Sequence, residues 1–460
     1  MNIKLSKRGG LLVILLLLFS PFLDTACTAQ SDDGTEDKMA MSETEQDALY
    51  EVMNSMAGGA DWRALHPHPC TEDLWPGLVC DQGDDGLFHV TRLDFGYKPN
   101  PKCTQNATFP TAIAKLAHLR SLFIFSCFST VNTTIPEALV KLAPTLKELS
   151  LRTNAALVGK IPSELASLSA LQLLSLSQNR LSGQIPPELT KLSTLQHLDL
   201  SNNFLSGELP LELGRLRNLI VLDVSMNRIS GLIPSSVRNL TMLQKLDLSS
   251  NALRGRIPPE LGSLGKLQFL SLNDNTIQGP YPEEMASMVG LQYLIMDNNP
   301  MNSTLPSFIG GYKNLMALSL SNSEYFGSIP DAYSELKSLT VMSLEHNKLT
   351  GAIPSGLEKL THIYQLNLSF NNLSGALPFS DAFVRRLGRN LDLSGNAGLC
   401  SRWALPDTTT KQGPGGLGIC SDPKLVTLAP RSFACRRTRV TSFWSITSLS
   451  MICILILFIS

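Results

Sequence analysis

Residues 243–266 read LQKLDLSSNALRGRIPPELGSLGK. Leu246 and Leu248 alternate with polar residues, as a short half-buried strand requires, and Asn251 follows the strand directly. Gly255 and Pro258 then turn the chain, and Leu261 and Leu264 return a second apolar pair. The same columns recur on both sides of this stretch. Asparagine stands at Asn154, Asn179, Asn203, Asn227, Asn251, Asn275 and Asn299, gives way to Ser323, and resumes at Asn347, Asn371 and Asn396. The step is 24 residues, except 25 at the first and last. Cys127 holds the same column one repeat earlier. A Gly-x-Ile-Pro column runs beside it, with departures at Gly279-Pro-Tyr-Pro282 and Ser303-Thr-Leu-Pro306.

One such unit cannot close a core, but stacked units can. Their leucines then form one continuous interior, each fully buried side chain contributing roughly 1.5–3 kcal/mol. The period and columns match the leucine-rich-repeat signature, which admits Asn or Cys at the column position. The fold expected is therefore an α/β leucine-rich-repeat solenoid with disulfide-bonded N- and C-terminal caps. Each column asparagine should turn inward and satisfy backbone groups of adjacent turns.

Composition agrees. The 460 residues include 80 leucines, more than the 38 Lys+Arg and 39 Asp+Glu together. A net charge of −1 excludes the electrostatic footprint of a nucleic-acid binder or a polybasic membrane-surface protein.

Both ends read as processing or anchoring segments. Residues 1–29 combine Lys4, Lys7 and Arg8 with an apolar run from Leu11 to Phe19, the pattern of a cleaved secretory signal. The final 433–460 contain an apolar run from Phe443 to Ile459, preceded by Arg431, Arg436, Arg437 and Arg439. This segment is either a GPI-anchor signal or a single membrane span, and it implies membrane attachment through the C-terminus. Between the ends lie a linker and N-terminal cap (30–115), the repeats (116–396) and a C-terminal cap (397–432).

Secretion makes cysteines pairs before it makes them ligands. The pairings that close the shortest loops are Cys70 with Cys80, Cys103 with Cys127, and Cys400 with Cys420; Cys27 and Cys453 fall in the two apolar end segments, and Cys435 is left over. His66 and His68 lie beside Cys70, yet with a WPG between the paired cysteines no metal or cofactor is expected. Ser42-Glu43-Thr44-Glu45 has capping-box spacing, and Ala48, Leu49, Val52 and Met56 line one face of the helix it would start. A first strand is expected at Val90–Phe95. Six sequons, at Asn106, Asn132, Asn239, Asn302, Asn367 and Asn372, fit a glycoprotein; a glycan on Asn367, within a strand, would sit on the inner face.

The Gly-x-Ile-Pro period with a WPGLVC-type cap resembles the extracellular domain of plant leucine-rich-repeat receptors. ETEQDALYEVMNSMAGGADWRALHPHPC, HLRSLFIFSCF and ALPFSDAFVRRLGRNLDLSGNAGLC are similar to the small receptor-like proteins of the Piriformospora-indica-insensitive group. That resemblance implies a kinase-free protein on the outer face of the plasma membrane, acting in immunity, symbiosis or development with a kinase-bearing co-receptor. The implied ligand is an extracellular peptide, oligosaccharide or protein. A different class, the extracellular inhibitor of a cell-wall-degrading enzyme such as polygalacturonase, shares the repeat.

Four side chains per repeat should face outward on the concave side, at six, four, two and one residues before the column position. Asp and Ser are the background there, so departures from them carry the information. They are Phe123, Phe125, Glu148 and Arg152 at the N-terminal rungs, then Val221, Met226, Lys245, Phe269, Tyr293 and Ile295 in the middle, the latter expected to form the ligand-binding surface as exposed anchors, with Glu345, His346 and Phe370 as a third group. Phe123 and Phe125 are expected to pack under the N-terminal cap. His197, Asp199 and Ser201 supply the residue types of a triad, but side by side on an open strand face without an oxyanion donor they do not make an enzyme.

Overall fold

A computed structural model describes residues 41–403, 413 and 417–420. The signal segment, the C-terminal run and Cys435 lie outside them, and no helix among the described residues is long and apolar enough to cross a membrane.

The alternating leucines form one 14-stranded sheet. Its strands are β1 (Leu78–Gln82), β2 (Phe88–Phe95), β3 (Ser121–Phe125), β4 (Glu148–Arg152), β5 (Leu173–Ser175), β6 (His197–Asp199) and β7 (Val221–Asp223). They continue as β8 (Lys245–Asp247), β9 (Phe269–Ser271), β10 (Tyr293–Ile295), β11 (Ala317–Ser319), β12 (Val341–Ser343), β13 (Gln365–Asn367) and β14 (Leu391–Asp392). The β1–β2 pair is antiparallel; each later strand is parallel to the one before it and in repeat register, so that Val221, Lys245, Phe269 and Tyr293 stand in one row. The expected Val90–Phe95 strand exists but starts at Phe88, and β1, which carries Cys80, lies outside it in the sheet.

The return segments are short 3₁₀ turns such as Pro259–Ser263, which begins directly after the Gly-x-Ile-Pro proline Pro258. Among the described residues α-helix is confined to the ends: α1 (Glu43–Met56), α2 (Trp62–Leu65) and α3 (Asp381–Leu387). A turn of five residues fits the short period, whereas a helix of several turns would not. The column glycine is required by its backbone: Gly255 sits at φ +80°, and a Cβ there would come within 2.4 Å of Leu232 Cδ2.

The column asparagines turn inward as expected. Asn203 Nδ2 donates to the carbonyls of Leu176 (2.8 Å), Leu200 (3.1 Å) and Ser201 (3.1 Å), and its Oδ1 accepts from Leu181 N (3.0 Å). One side chain thus ties two consecutive repeats together. Ser323 covers only part of this role, donating to Ser321 O and Met296 O, and Asn347 Oδ1 compensates by accepting from both Ser323 N and Tyr325 N. The departing repeats are also braced by tyrosines: buried Tyr281 and Tyr325 meet hydroxyl to hydroxyl at 2.7 Å.

All three expected disulfides are present, Cys70–Cys80, Cys103–Cys127 and Cys400–Cys420. At the N-terminus Ser42 caps α1 by accepting from Glu45 N, but the capping box stays half formed. The Glu45 carboxylate turns instead to β2, where it accepts from Val90 N (2.9 Å) and pairs with His89 Nδ1 (2.8 Å). The helix is thereby locked to the first strands of the sheet, over a face made by Ala48, Leu49, Val52, Met53 and Met56.

Candidate functional site

Three structural features could hold a ligand: the histidine cluster of the N-terminal cap, the pair of aromatic groups near the two ends, and the middle of the concave sheet. In the first, Glu45, His89 and the exposed His118 bring one ligand atom each within 4.8 Å of one another. Both His89 nitrogens are already engaged, Nδ1 by Glu45 and Nε2 by Asp85 (3.1 Å). Burial alone would lower its pKa, yet the hydrogen bonds and charges of the two carboxylates outweigh it and raise the pKa. His89 thus clamps helix to strand through both of its ring nitrogens.

Phe123 and Phe125 do not pack under the cap. Strand alternation points them outward, with Arg92 over the Phe123 ring at 4.8 Å and the exposed Tyr97 edge-on to Phe125 at 5.7 Å. Their partners are surface groups of β2 and the loop after it, and the buried positions of β3 are Leu122 and Ile124. Toward the other end, His346 and Phe370 stack at 4.4 Å and 8° between ring planes, both exposed and both at left-handed φ of 55° and 52°.

In the middle, the structure brings most of the expected binding residues together. Asp223 and Lys245 pair at 2.9 Å, Lys245 Nζ lies 5.4 Å from the centre of the Phe269 ring, and Phe269 lies 5.8 Å from Tyr293. Desolvation would lower the Lys245 pKa, but Asp223 and Asp247 outweigh it and raise it. Ile295 follows two residues after Tyr293 on the same face of β10. Met226 stands apart, in the left-handed turn position before Asn227, 56% exposed. One part of the expectation needs correction: Phe269, Tyr293 and Ile295 are 8%, 6% and 8% exposed, so they form a flush apolar floor and not projecting anchors. In-register packing on neighbouring strands brings these side chains side by side on the face, and sequence position alone does not reveal how much of each remains open.

The background positions prove informative as well. In β6, β7 and β8 the Asp four residues before the column asparagine accepts from the backbone and hydroxyl of the Ser two residues later, as in Asp223 Oδ1 with Ser225 Oγ at 2.6 Å. Ser201 therefore donates to Asp199, and His197 is not its hydrogen-bond partner. Two repeats on from β8 the acid moves to the serine's own position. Asp297 Oδ1 accepts from Ser319 Oγ (2.8 Å) and Ser321 N (2.5 Å). Burial lifts its carboxyl to about 6, helped by Glu345 and opposed by the two serines. Glu345 is raised too, chiefly by burial. Sequence reasoning passed over Asp297 because Asp is background; the signal was its displacement by two positions.

Five sequon asparagines, 106, 132, 239, 302 and 372, are exposed. Asn367 is half-buried on β13, its Oδ1 held by Ser369 N and Oγ at 3.1 and 2.7 Å. Glycopeptide mass spectrometry of the secreted protein is expected to show Asn367 unmodified; a glycan there would contradict the packing of this strand face.

Comparison with known proteins fits this geometry. Residues 118–273 match the family profile described as leucine-rich repeat region, and residues 313–373 match leucine rich repeat. The chain folds as a leucine-rich-repeat solenoid. It is similar to Receptor like protein 29 of Arabidopsis thaliana, 50% identical over 144 residues that cover 31% of each chain. Piriformospora indica-insensitive protein 2 of the same plant is 34% identical over 176 residues, 37% of this chain and 40% of that one. Plant receptor-like proteins of this repeat type are thus its homologues, and the leucine-rich-repeat chain spans less than half the length of either. Among solved structures, plant peptide hormone receptor RGFR1 in complex with RGF2 aligns with a TM-score of 0.56 and 31% identity, over 68% of this chain and 53% of that one.

Proposed function

We propose that this leucine-rich-repeat protein is a cell-surface receptor-like protein or co-receptor that binds an extracellular ligand on its concave face between β7 and β12. The observation that carries this reading is the row Val221, Lys245, Phe269 and Tyr293, which consecutive strands set side by side in register on the concave face. Repeat drift has no reason to place a cation, two aromatics and an adjoining isoleucine on one contiguous face. An apolar floor flanked by hydrogen-bonding groups suits an extended peptide, which presents alternate side chains to the sheet. The similarity to a peptide hormone receptor supports the same choice.

In this reading the protein is not an enzyme. It is held on the outer face of the plasma membrane by its C-terminal segment, either through a GPI anchor or as a single span, and passes its signal to a kinase-bearing partner. Immunity, symbiosis or development is the setting that the resemblance to receptor-like proteins supports. Proximity labelling in intact tissue, followed by cell-surface pull-down, is expected to recover a kinase-bearing protein. Recovery of no such partner, together with inhibition of a fungal polygalacturonase by the purified protein, would replace this reading with that of a wall-enzyme inhibitor.

A further inference from the structure

A fourth feature lies off the concave face. Beyond the column residue, six consecutive repeats each add a strand to a second sheet: Val158–Gly159, Arg180–Gly183, Phe204–Glu208, Arg228–Gly231, Ala252–Gly255 and Thr276–Ile277. Alternation gives its inner side to Leu181, Leu205, Ile229, Leu253 and Ile277, all buried, and its outer side to solvent. Along these strands and the turns that follow them as far as the proline, the cations are Lys160, Arg180, Arg228, Arg254 and Arg256, against one acid, Glu208. All six are exposed. The concave side of the same repeats carries Asp199, Asp223 and Asp247, so the net charge of −1 conceals a segregation by face.

None of the five cations takes part in an ion pair among the described residues. Farther along the solenoid, in the position directly after the column residue, Lys348 is answered by Glu324 one repeat back at 2.9 Å. At that same position Arg180 and Arg228 flank Phe204, which is 41% exposed and carries the Arg228 guanidinium 5.0 Å above its ring. Two of the stems are held in place. A Cβ at Gly183 would come within 3.1 Å of Lys160 Cγ, and one at Gly279 within 3.2 Å of Arg256 Cγ, so each side chain runs across the glycine of the next strand. The sequons also avoid this surface. Asn132 and Asn302 stand at its two borders, beside the bridges Thr133–Leu157 and Thr304–Phe326, while Asn239 belongs to a 3₁₀ turn. Glycans at the borders would frame the arginines without covering them.

We propose that the outer side of this second sheet binds a linear polyuronate, an acidic polysaccharide with one carboxylate on every ring. A guanidinium pairs with a carboxylate through two parallel hydrogen bonds, and it does so best where no protein acid competes. From Lys160 to Arg254 the cations extend over four strand spacings, about 19 Å, which suits a polymer laid along the stack with the apolar face of one ring on Phe204. A membrane is the poorer match, because anionic lipids gather on the cytoplasmic leaflet and the N-terminal segment reads as a secretory signal. The Phe269 and Tyr293 floor belongs to the other sheet, and neither site depends on the other.

The experiment is binding of the purified protein to immobilised polygalacturonate, read by surface plasmon resonance over a series of salt concentrations. Binding is expected to weaken steeply as salt rises and to be lost on the fully methyl-esterified polymer, whose carboxylates are masked. Arg180→Gln/Arg228→Gln/Arg254→Gln should weaken it at least about tenfold. Arg215→Gln/Arg217→Gln/Arg238→Gln removes the same charge from exposed positions in and beside the 3₁₀ turns, and should change it by less than about twofold. All the substituted side chains are exposed, and circular dichroism melting verifies the fold. Equal losses in the two triple variants, or no binding at low salt, would overturn the site. Polyglutamate or phosphatidylserine vesicles held as firmly as polygalacturonate would overturn it too, since charge alone would then account for retention.

Discussion

Asn275→Ala lowers stability by about 3 kcal/mol, read as a shift of the denaturant midpoint at constant slope. The size follows from the number of groups one amide serves. Asn275 is 6% exposed; its Nδ2 donates to Leu248 O, Leu272 O and Asn273 O at 3.0–3.1 Å, and its Oδ1 accepts from Leu253 N at 3.0 Å. Truncation leaves these groups buried without a partner and without water, and each unsatisfied group costs about 1–3 kcal/mol, part of which local relaxation recovers. Ser323→Ala, at the rung that already makes fewer bonds, should cost about half as much. Equal losses at both positions would show that the amide ladder is not what couples the repeats. Because stability in a solenoid is a sum over neighbouring units, the damage should also appear as faster amide exchange in the repeats flanking Asn275 than in the caps.

The second large effect is a loss of stability as pH rises from about 4 to 8. Asp297 has a folded pKa of about 6 against an ordinary 3.8, and Asp247 is raised as well, by burial first and Asp223 second. A raised carboxyl means that the folded state holds the proton more tightly than the unfolded chain. Stability therefore falls as pH climbs between the unfolded and folded pKa values, by on the order of 2–3 kcal/mol at most for a two-unit shift. His89 acts in the same direction for the opposite reason. Its imidazolium is stabilised by Glu45 and Asp85, so that contribution is complete below an unfolded pKa of about 6.5 and is lost as pH rises through the higher folded value. Melting temperatures at pH 4.5, 6 and 8 are expected to fall in that order. Asp297→Asn should flatten the lower part of the curve and His89→Gln the upper part. A melting temperature that rises from pH 4.5 to 8 would contradict both assignments.

The solenoid, its register, its inward asparagines and its disulfides were legible because each is a consequence of period. A column that recurs every 24 residues can only stack on itself, and cysteines close in sequence at the two ends of a stack have few partners within reach. What escaped the sequence depends on who stands next to whom across strands. Glu45 has perfect capping-box spacing, yet His89, 44 residues away, offers its carboxylate a stronger partner than the Ser42 backbone. Phe123 and Phe125 look like core residues by type, but alternation along β3 gives the interior to Leu122 and Ile124. In the candidate site, the apolar and basic types of Val221, Lys245, Phe269, Tyr293 and Ile295 were readable residue by residue, and their flush packing was not. Asp297 was hidden by its own ordinariness, since only its displacement by two positions marks it as different from Asp199 or Asp223.

The central claim is that the concave floor between β8 and β10 contacts the ligand. Its most direct test is the affinity of the partner or peptide recovered from the wild-type protein for Phe269→Ala/Tyr293→Ala, measured by surface plasmon resonance after circular dichroism has shown the fold intact. The account predicts binding weaker by at least about tenfold, through faster dissociation. Unchanged affinity in a folded variant would contradict it.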